Sequence, residues 1–276
     1  MAEFYNRTRR SESIPRRLLR QGRPLAIPVY WMVKSSNLGL EGIRNSGSYH
    51  FADHIYRNEP SGQGPFGRWL DARFLAMPAV RSFRSRFLAS RDALAEFLVG
   101  HQAAERRLDV VSAPCGIPRE LAEGARSYRE RTGRDTDHVT FHGVDLDSKV
   151  LEEARGFARA NGLANFVTHQ GDALVRSTHA DAADFITCTG LAEFLDDEKL
   201  GRLYQIFYDV LRPGGMLVTS GMRRKWVSEY FLRLAELKTH NRDPSHLEKI
   251  ASGVPFAEVR TRPDEFNIQT ILVARK

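Results

Sequence analysis

From residue 108 onward the chain alternates short apolar runs with amphipathic stretches, and few folds accept that order. An apolar run bounded by turn residues reads as a buried strand, and an apolar face repeating every 3.6 residues reads as a helix laid against it. Repetition of the pair builds βαβ units and a parallel sheet. Residues 108–113 read as the first strand; Pro118 opens the next helix, which runs to Thr132-Gly133. Residues 139–146 form the second strand, followed by a helix capped by Asp147 or Ser148 and stopped at Asn161-Gly162. The third strand, 166–169, ends at Gly171-Asp172, and 183–189 is the fourth. Asp196-Asp197 caps a helix carrying Leu200, Leu203, Tyr204, Phe207 and Leu211 on one face. Arg212-Pro213-Gly214-Gly215 ends it before a fifth strand at 216–220. A helix is expected at 225–237, and 256–261 with 268–274 read as a closing antiparallel pair.

The first hundred residues follow another grammar. A basic leader precedes the aromatic stretch 27–32, a Gly/Ser/Pro-rich segment at 60–67 and an arginine-rich run at 81–91. We expect an N-terminal helical cap or lid over 1–100 and a ligand-binding domain over 101–276. Residues 1–91 hold 16 Lys+Arg against 6 Asp+Glu, whereas the rest of the chain holds 25 against 28, so the net charge of +7 originates before the sheet. Such asymmetry suits an anionic membrane surface or an acidic ligand, nucleic acid less so because no aromatic RNA-binding signature accompanies it; a solvated basic surface is the plainer account. Two cysteines, Cys115 and Cys188, are too few for a disulfide framework or a four-cysteine zinc site, and no metal is expected. No long uninterrupted apolar run is present, and the expectation is a cytoplasmic protein.

Open α/β sheets bind ligands at the carboxyl ends of their strands. Four such loops carry suggestive residues here. Ala113-Pro114-Cys115-Gly116 would bring backbone and a helix N-terminus close to a ligand. Asp145, beside Leu146, is placed to accept from a ribose diol; Gly171-Asp172-Ala173 follows strand three; Thr189-Gly190 follows strand four. Any one of these is ordinarily a turn or a helix cap. Their order along the chain carries the information.

The set, together with Leu211-Arg212-Pro213-Gly214-Gly215 before a strand, resembles the class I S-adenosylmethionine-dependent methyltransferases over residues 108–276. The resemblance implies a Rossmann-like α/β fold with a seven-stranded, mostly parallel sheet and an antiparallel last strand. It also implies S-adenosylmethionine as cofactor, with Gly116 in the loop that cradles the methionine end, Asp145 on the ribose and Asp172 facing adenine. One departure stands out. Family members commonly carry an acid in the first strand and three spaced glycines, where this chain has Ser112, Pro114, Gly116 and Pro118. The prolines suit turns with φ near −65°, leaving Gly116 the single freely chosen angle. Ser112 cannot neutralise an ammonium group, so an acid elsewhere, such as one in the N-terminal cap, would have to substitute.

The acceptor side is less legible. Tyr49, His50 and His54 are candidate proton-transfer residues, weighed against an amphipathic helix with histidines on its wet face. Tyr56, Leu191, Glu193 and Trp226 are candidate acceptor-pocket residues, weighed against ordinary packing. The expected reaction is methyl transfer to an oxygen or nitrogen of a small-molecule or lipid-like acceptor. The alternatives are an aminopropyl or aminocarboxypropyl transferase on the same fold, or an inactive module that binds RNA or membrane.

Overall fold

The structure, a computed structural model, describes residues 14–20, 22, 24, 26–45, 48–223 and 239–276. The helix expected at 225–237, and with it Trp226, lies outside these residues. The chain divides into two compact units between Arg81 and Ser82.

The N-terminal unit is helical: α1 (Ile14–Arg20), α2 (Ala26–Val33), α3 (Asn37–Asn45), α4 (Tyr49–Arg57), α5 (Gly64–Leu75) and the start of α6 (Pro78–Gly100). Ser48 caps α4 by accepting from the Phe51 N–H at 3.1 Å, and Asn58 ends it in the left-handed region. Asp71 on α5 is fully buried and accepts from the Ser36 hydroxyl and from the N–H groups of Leu38 and Ser61, tying two loops to one helix. Such a carboxylate is tolerated in the interior because hydrogen bonds replace its hydration.

The second unit holds the sheet. Its elements are β1 (Leu108–Ser112), α7 (Arg119–Thr132), β2 (Val139–Asp145), α8 (Ser148–Ala160), β3 (Phe166–Gln170), β4 (Ala183–Cys188), α9 (Asp197–Val210), β5 (Leu211–Met222), α10 (Pro244–Ala251), β6 (Glu258–Pro263) and β7 (Gln269–Arg275). The strand order is β3-β2-β1-β4-β5-β7-β6, parallel except for β7, which runs antiparallel to both of its neighbours. Alternate residues of each strand enter opposite layers. Val111, Val144, Ile186, Leu217 and Leu272 pack with Leu203 and Phe207 of α9 and Leu247 of α10. Val110, Phe141, Phe185 and Ile271 pack with Leu94, Phe97 and Leu98 of α6 and Leu121 and Tyr128 of α7. Each side chain so buried contributes about 1.5–3 kcal/mol. The chain leaves β1 toward β3 and returns at β4 beside β1. This switch point opens the crevice in which sheets of this type bind ligands.

The structure differs from the sequence-based expectations in three places. The second half of α6, expected within an N-terminal domain ending at residue 100, packs on the sheet and belongs to its unit. The helix expected to include Leu211 ends at Val210. β5 begins at Leu211, paired with Ala183, before a bulge carries the pairing to Met216 opposite Phe185. The bulge needs glycine, because a Cβ on Gly215 would lie 3.1 Å from the Asp184 carbonyl oxygen and 2.9 Å from that of Arg212. Helix α10 is additional, although Asp243-Pro244 is an N-terminal signal for it. At the end of the sheet opposite the crevice, Arg212 joins Asp109 at 2.8 Å and Asp184 at 2.7 Å, and Arg106 also holds Asp184. Burial alone would raise the Asp184 carboxyl, but the hydrogen bonds and charges of Arg106 and Arg212 bring it below its ordinary value.

Candidate active site

The loop after β1 is stitched to both neighbouring strands. The Ala113 N–H donates to the Thr187 carbonyl of β4 at 3.0 Å, and the Cys115 N–H to the Val144 carbonyl of β2 at 2.8 Å. The Ala113-Pro114 peptide is cis. Gly116 sits at φ +48°, the left-handed region that favours glycine, and donates its N–H to Asp145 Oδ2 at 3.2 Å. The donors of Ala113, Cys115 and Gly116 are therefore already used inside the protein, and Pro114 has none. What the loop offers a ligand is close approach at a residue without a Cβ, while the helix that follows starts at Arg119, after Pro118 and with no side-chain cap.

Asp145 closes β2. It is buried, with Oδ1 accepting from the Asp147 N–H at 3.2 Å and Oδ2 from Gly116. Burial raises its carboxyl, and these backbone bonds lower it. A carboxylate has about four acceptor directions, so capacity for a diol is left after two N–H bonds. Leu146 is half-buried and its carbonyl accepts from Gln170. The Gly171 N–H donates to the Asp145 carbonyl at 2.9 Å, which brings the loop after β3 alongside. Asp172 turns back to its own loop, accepting from the Leu174 N–H at 2.9 Å, and the buried Ala173 bonds His179 through its carbonyl. Thr189 is half-buried. Gly190 lies at φ +91° with the Arg86 guanidinium 2.8 Å from where a Cβ would stand.

Leu191 and Glu193 are placed in the interior. Leu191 is part of the core, and Glu193 accepts from Arg86 Nη1 with both oxygens at 3.1 Å and from Gln269 at 3.0 Å. Both side chains of the Arg86–Glu193 pair are nearly inaccessible. Above it, Ser90 and Thr187 share a 2.7 Å hydroxyl bond. Arg86, Ser90 and Gln269 are site-flanking residues that the sequence reading passed over. Only the arginine-rich run hinted at them. Cys115 is a free, buried thiol whose pKa burial pushes well above its ordinary value, with the charges of Asp145 and Glu120 adding to the rise. Burial also pushes Cys188 up to about 12. Neither is disposed to act as a thiolate.

Tyr49, His50, His54 and Tyr56 belong to the N-terminal unit, on α4. His50 is exposed with its ring against Tyr49, and His54 Nε2 lies 3.1 Å from the Ser61 hydroxyl. Among the described residues no group of three or more His, Cys, Asp or Glu side chains is arranged to hold a metal.

Comparison with known proteins agrees with the fold. A ubiquinone biosynthesis O-methyltransferase of Shewanella sp. (strain ANA-3) is 29% identical over 109 residues, covering 36% of this chain and 45% of that protein, so the match spans less than half of that relative. A structure from Bordetella parapertussis, described as a "possible exported protein", superposes over 100% of this chain and 95% of its own with a TM-score of 0.77 at 22% identity. The magnesium protoporphyrin IX methyltransferase of Synechocystis PCC 6803 with bound SAH covers 81% of this chain and 93% of its own, with a TM-score of 0.54 at 14% identity. At these identities the structures establish a shared α/β architecture. A family described as "Putative methyltransferase" matches residues 28–276, through the whole sheet and most of the helical N-terminal region, and the chain belongs to that family.

Proposed function

We propose that this chain binds S-adenosylmethionine in the crevice at the carboxyl ends of β1 to β4 and transfers its methyl group to an oxygen or nitrogen of a small-molecule or lipid-like acceptor. The observation that carries the reading is the hydrogen bond from the Gly116 N–H to Asp145. It joins the glycine loop and the strand-two acid into one wall beside the switch point. The residues present fit the cofactor, since Gly116 leaves room for close approach and Asp145 keeps acceptor capacity for the ribose hydroxyls. Asp172 and Ala173 would flank the adenine end, and Thr189 and Gly190 would lie toward the methyl-bearing end. When bound, the cofactor supplies an electrophilic methyl group, open to in-line displacement. The chain's own part is to hold donor and nucleophile in near-attack geometry and to keep water out. Where the acceptor must lose a proton, Tyr49, His50 and His54 are the candidate residues.

A calorimetric titration with S-adenosylhomocysteine tests this. Wild-type protein should bind it, and Asp145→Ala should weaken binding by about 1–3 kcal/mol, the scale of hydrogen bonds to a charged group. Unchanged affinity in folded Asp145→Ala would remove the ribose assignment.

A second contact is favoured by the N-terminal unit, which exposes Trp31 and Trp69 by 57% and 56% together with Phe66 and Leu19. Arg16, Arg20, Arg68 and Arg73 are exposed in the same unit, and Lys34 lies 4.5 Å over the Trp31 ring. Aromatic rings among cationic side chains suit an anionic lipid surface. A lipid-like acceptor would be met there.

A further inference from the structure

Ser112 stands where the family resemblance leads one to expect an acid, yet a carboxyl is present at that point in space. Glu120, in the first turn of α7, is 8% exposed, and its Oε1 accepts a 2.6 Å hydrogen bond from the Ser112 hydroxyl. Among the described residues no arginine, lysine or histidine forms an ion pair with it. The neighbouring Arg119 and Glu123 face each other instead, at 3.9 Å. Glu120 holds the end of β1 through Ser112 and Asp145 holds Gly116, so the glycine loop has a carboxylate at each end, and the charges of both raise the Cys115 thiol. A carboxyl taken out of water with one side-chain hydrogen bond and, among the described residues, no ion pair is an expensive feature, which a bound cation would offset. Burial accordingly pushes it up to about 7, despite the lowering effects of the Ser112 bond, its own backbone and Arg119.

We infer that Glu120 is the acid that receives the ammonium group at the methionine end of the cofactor, delivered from the helix after the glycine loop instead of from the strand before it. The inference rests on the cofactor reading above and adds a residue to it. Ser112 is then a positioning residue: its hydroxyl holds one carboxylate oxygen and leaves the other for the ligand. A carboxylate brought in on a helix reaches the position from a different backbone, so the acid can leave the strand without the charge leaving the site. The proline at position 118 starts α7 early enough to place Glu120 within its first turn.

Two ligands that share the nucleoside and differ in the amino-acid end separate this role from a purely structural one. S-adenosylhomocysteine carries the ammonium group, and 5′-methylthioadenosine lacks it. Glu120→Gln keeps the size of the side chain and its bond to Ser112. It should weaken S-adenosylhomocysteine about ten- to hundredfold, the equivalent of one charged hydrogen bond, and leave 5′-methylthioadenosine within about twofold of wild type. Ser112→Ala, which spares the carboxyl, should keep the preference for the ligand with the ammonium group. If Glu120→Gln does not fold, Glu120→Asp is read in the same way, with a larger loss for the amino-acid ligand than for the nucleoside. Equal loss of both ligands would assign Glu120 to shaping the loop and overturn the inference, as would unchanged S-adenosylhomocysteine affinity. Wild-type protein that binds neither ligand would overturn the cofactor reading, and this assignment with it.

Discussion

Gly116 and Cys115 are adjacent and contribute in opposite ways. The glycine is needed for its backbone angle and its missing Cβ. Gly116→Val, forced to φ +48°, should therefore abolish S-adenosylhomocysteine binding while the melting temperature shows the sheet still folded. Cys115 contributes a small buried side chain against Leu151 and Ala154, so Cys115→Ser should lower stability by about 1 kcal/mol and leave binding nearly intact. A folded Gly116→Val that binds normally, beside a Cys115→Ser that loses all activity, would point to thiol chemistry instead. Glu120 adds a pH dependence whose sign follows from burial. Below its ordinary value of 4.5 the carboxyl is protonated whether the chain is folded or not. Between there and about 7 the unfolded chain ionises while the folded chain keeps the proton, so stability falls as pH rises, and above about 7 the loss levels off. The charges that act on it, Arg119 lowering and Glu123 raising, do not reverse this direction. Ligand-free Glu120→Gln should therefore lose less stability than wild type between pH 5 and pH 8, by on the order of 3 kcal/mol in denaturant unfolding.

Among elements, the strand ends divide the labour. At the end away from the crevice, Arg212 and Arg106 neutralise Asp109 and Asp184 and lock the bulge of β5 to β1 and β4. Asp184→Asn leaves two guanidinium groups facing an amide, and Arg212→Ala leaves two carboxylates short of a partner. Each should destabilise by about 3 kcal/mol with little effect on ligand affinity once folded. At the crevice end, Gly190→Ala should be costly in another way. Its φ of +91° disfavours any side chain, and the new methyl would press on the guanidinium that holds Glu193, so thermal stability and ligand affinity should fall together. Strands β1 to β4 were readable because each carries β-branched and aromatic residues and is closed by Gly, Asp or Pro, and the closing pair because a turn separates two β-rich runs. The start of β5 was not, since Arg212-Pro213-Gly214-Gly215 stops a helix equally well and its role as a bulge depends on Asp184 across the sheet. Glu120 escaped for a related reason. Its place beside Ser112 comes from the reversal of the chain between β1 and α7, which no local pattern encodes. Leu191 and Glu193 follow β4, where a pocket lining and ordinary packing are both expected of such residues, and both are buried.

On the scale of the whole molecule, charge and chemistry are segregated along the chain, with the basic excess in residues 1–91 and the acidic crevice residues after 108. If the exposed rings and arginines of the N-terminal unit meet lipid, binding to vesicles rich in anionic phospholipid should fall steeply with salt, and replacing both Trp31 and Trp69 by alanine should weaken it several-fold at low salt. Absence of binding at low salt would leave the charge as solvated surface. No helix among the described residues is long and apolar enough to cross a membrane. The Arg86–Glu193–Gln269 cluster has a consequence in time. Its members are 107 and 76 residues apart along the chain, and the carboxylate between them is almost wholly enclosed. Closing loops of that length is slow compared with forming local helices. The turn after β4 should therefore acquire its native shape in the same late step that seats β7 between β5 and β6. A chain stopped short of Gln269 would hold Glu193 with half its partners, and the rim of the crevice would be the last part of the molecule to mature.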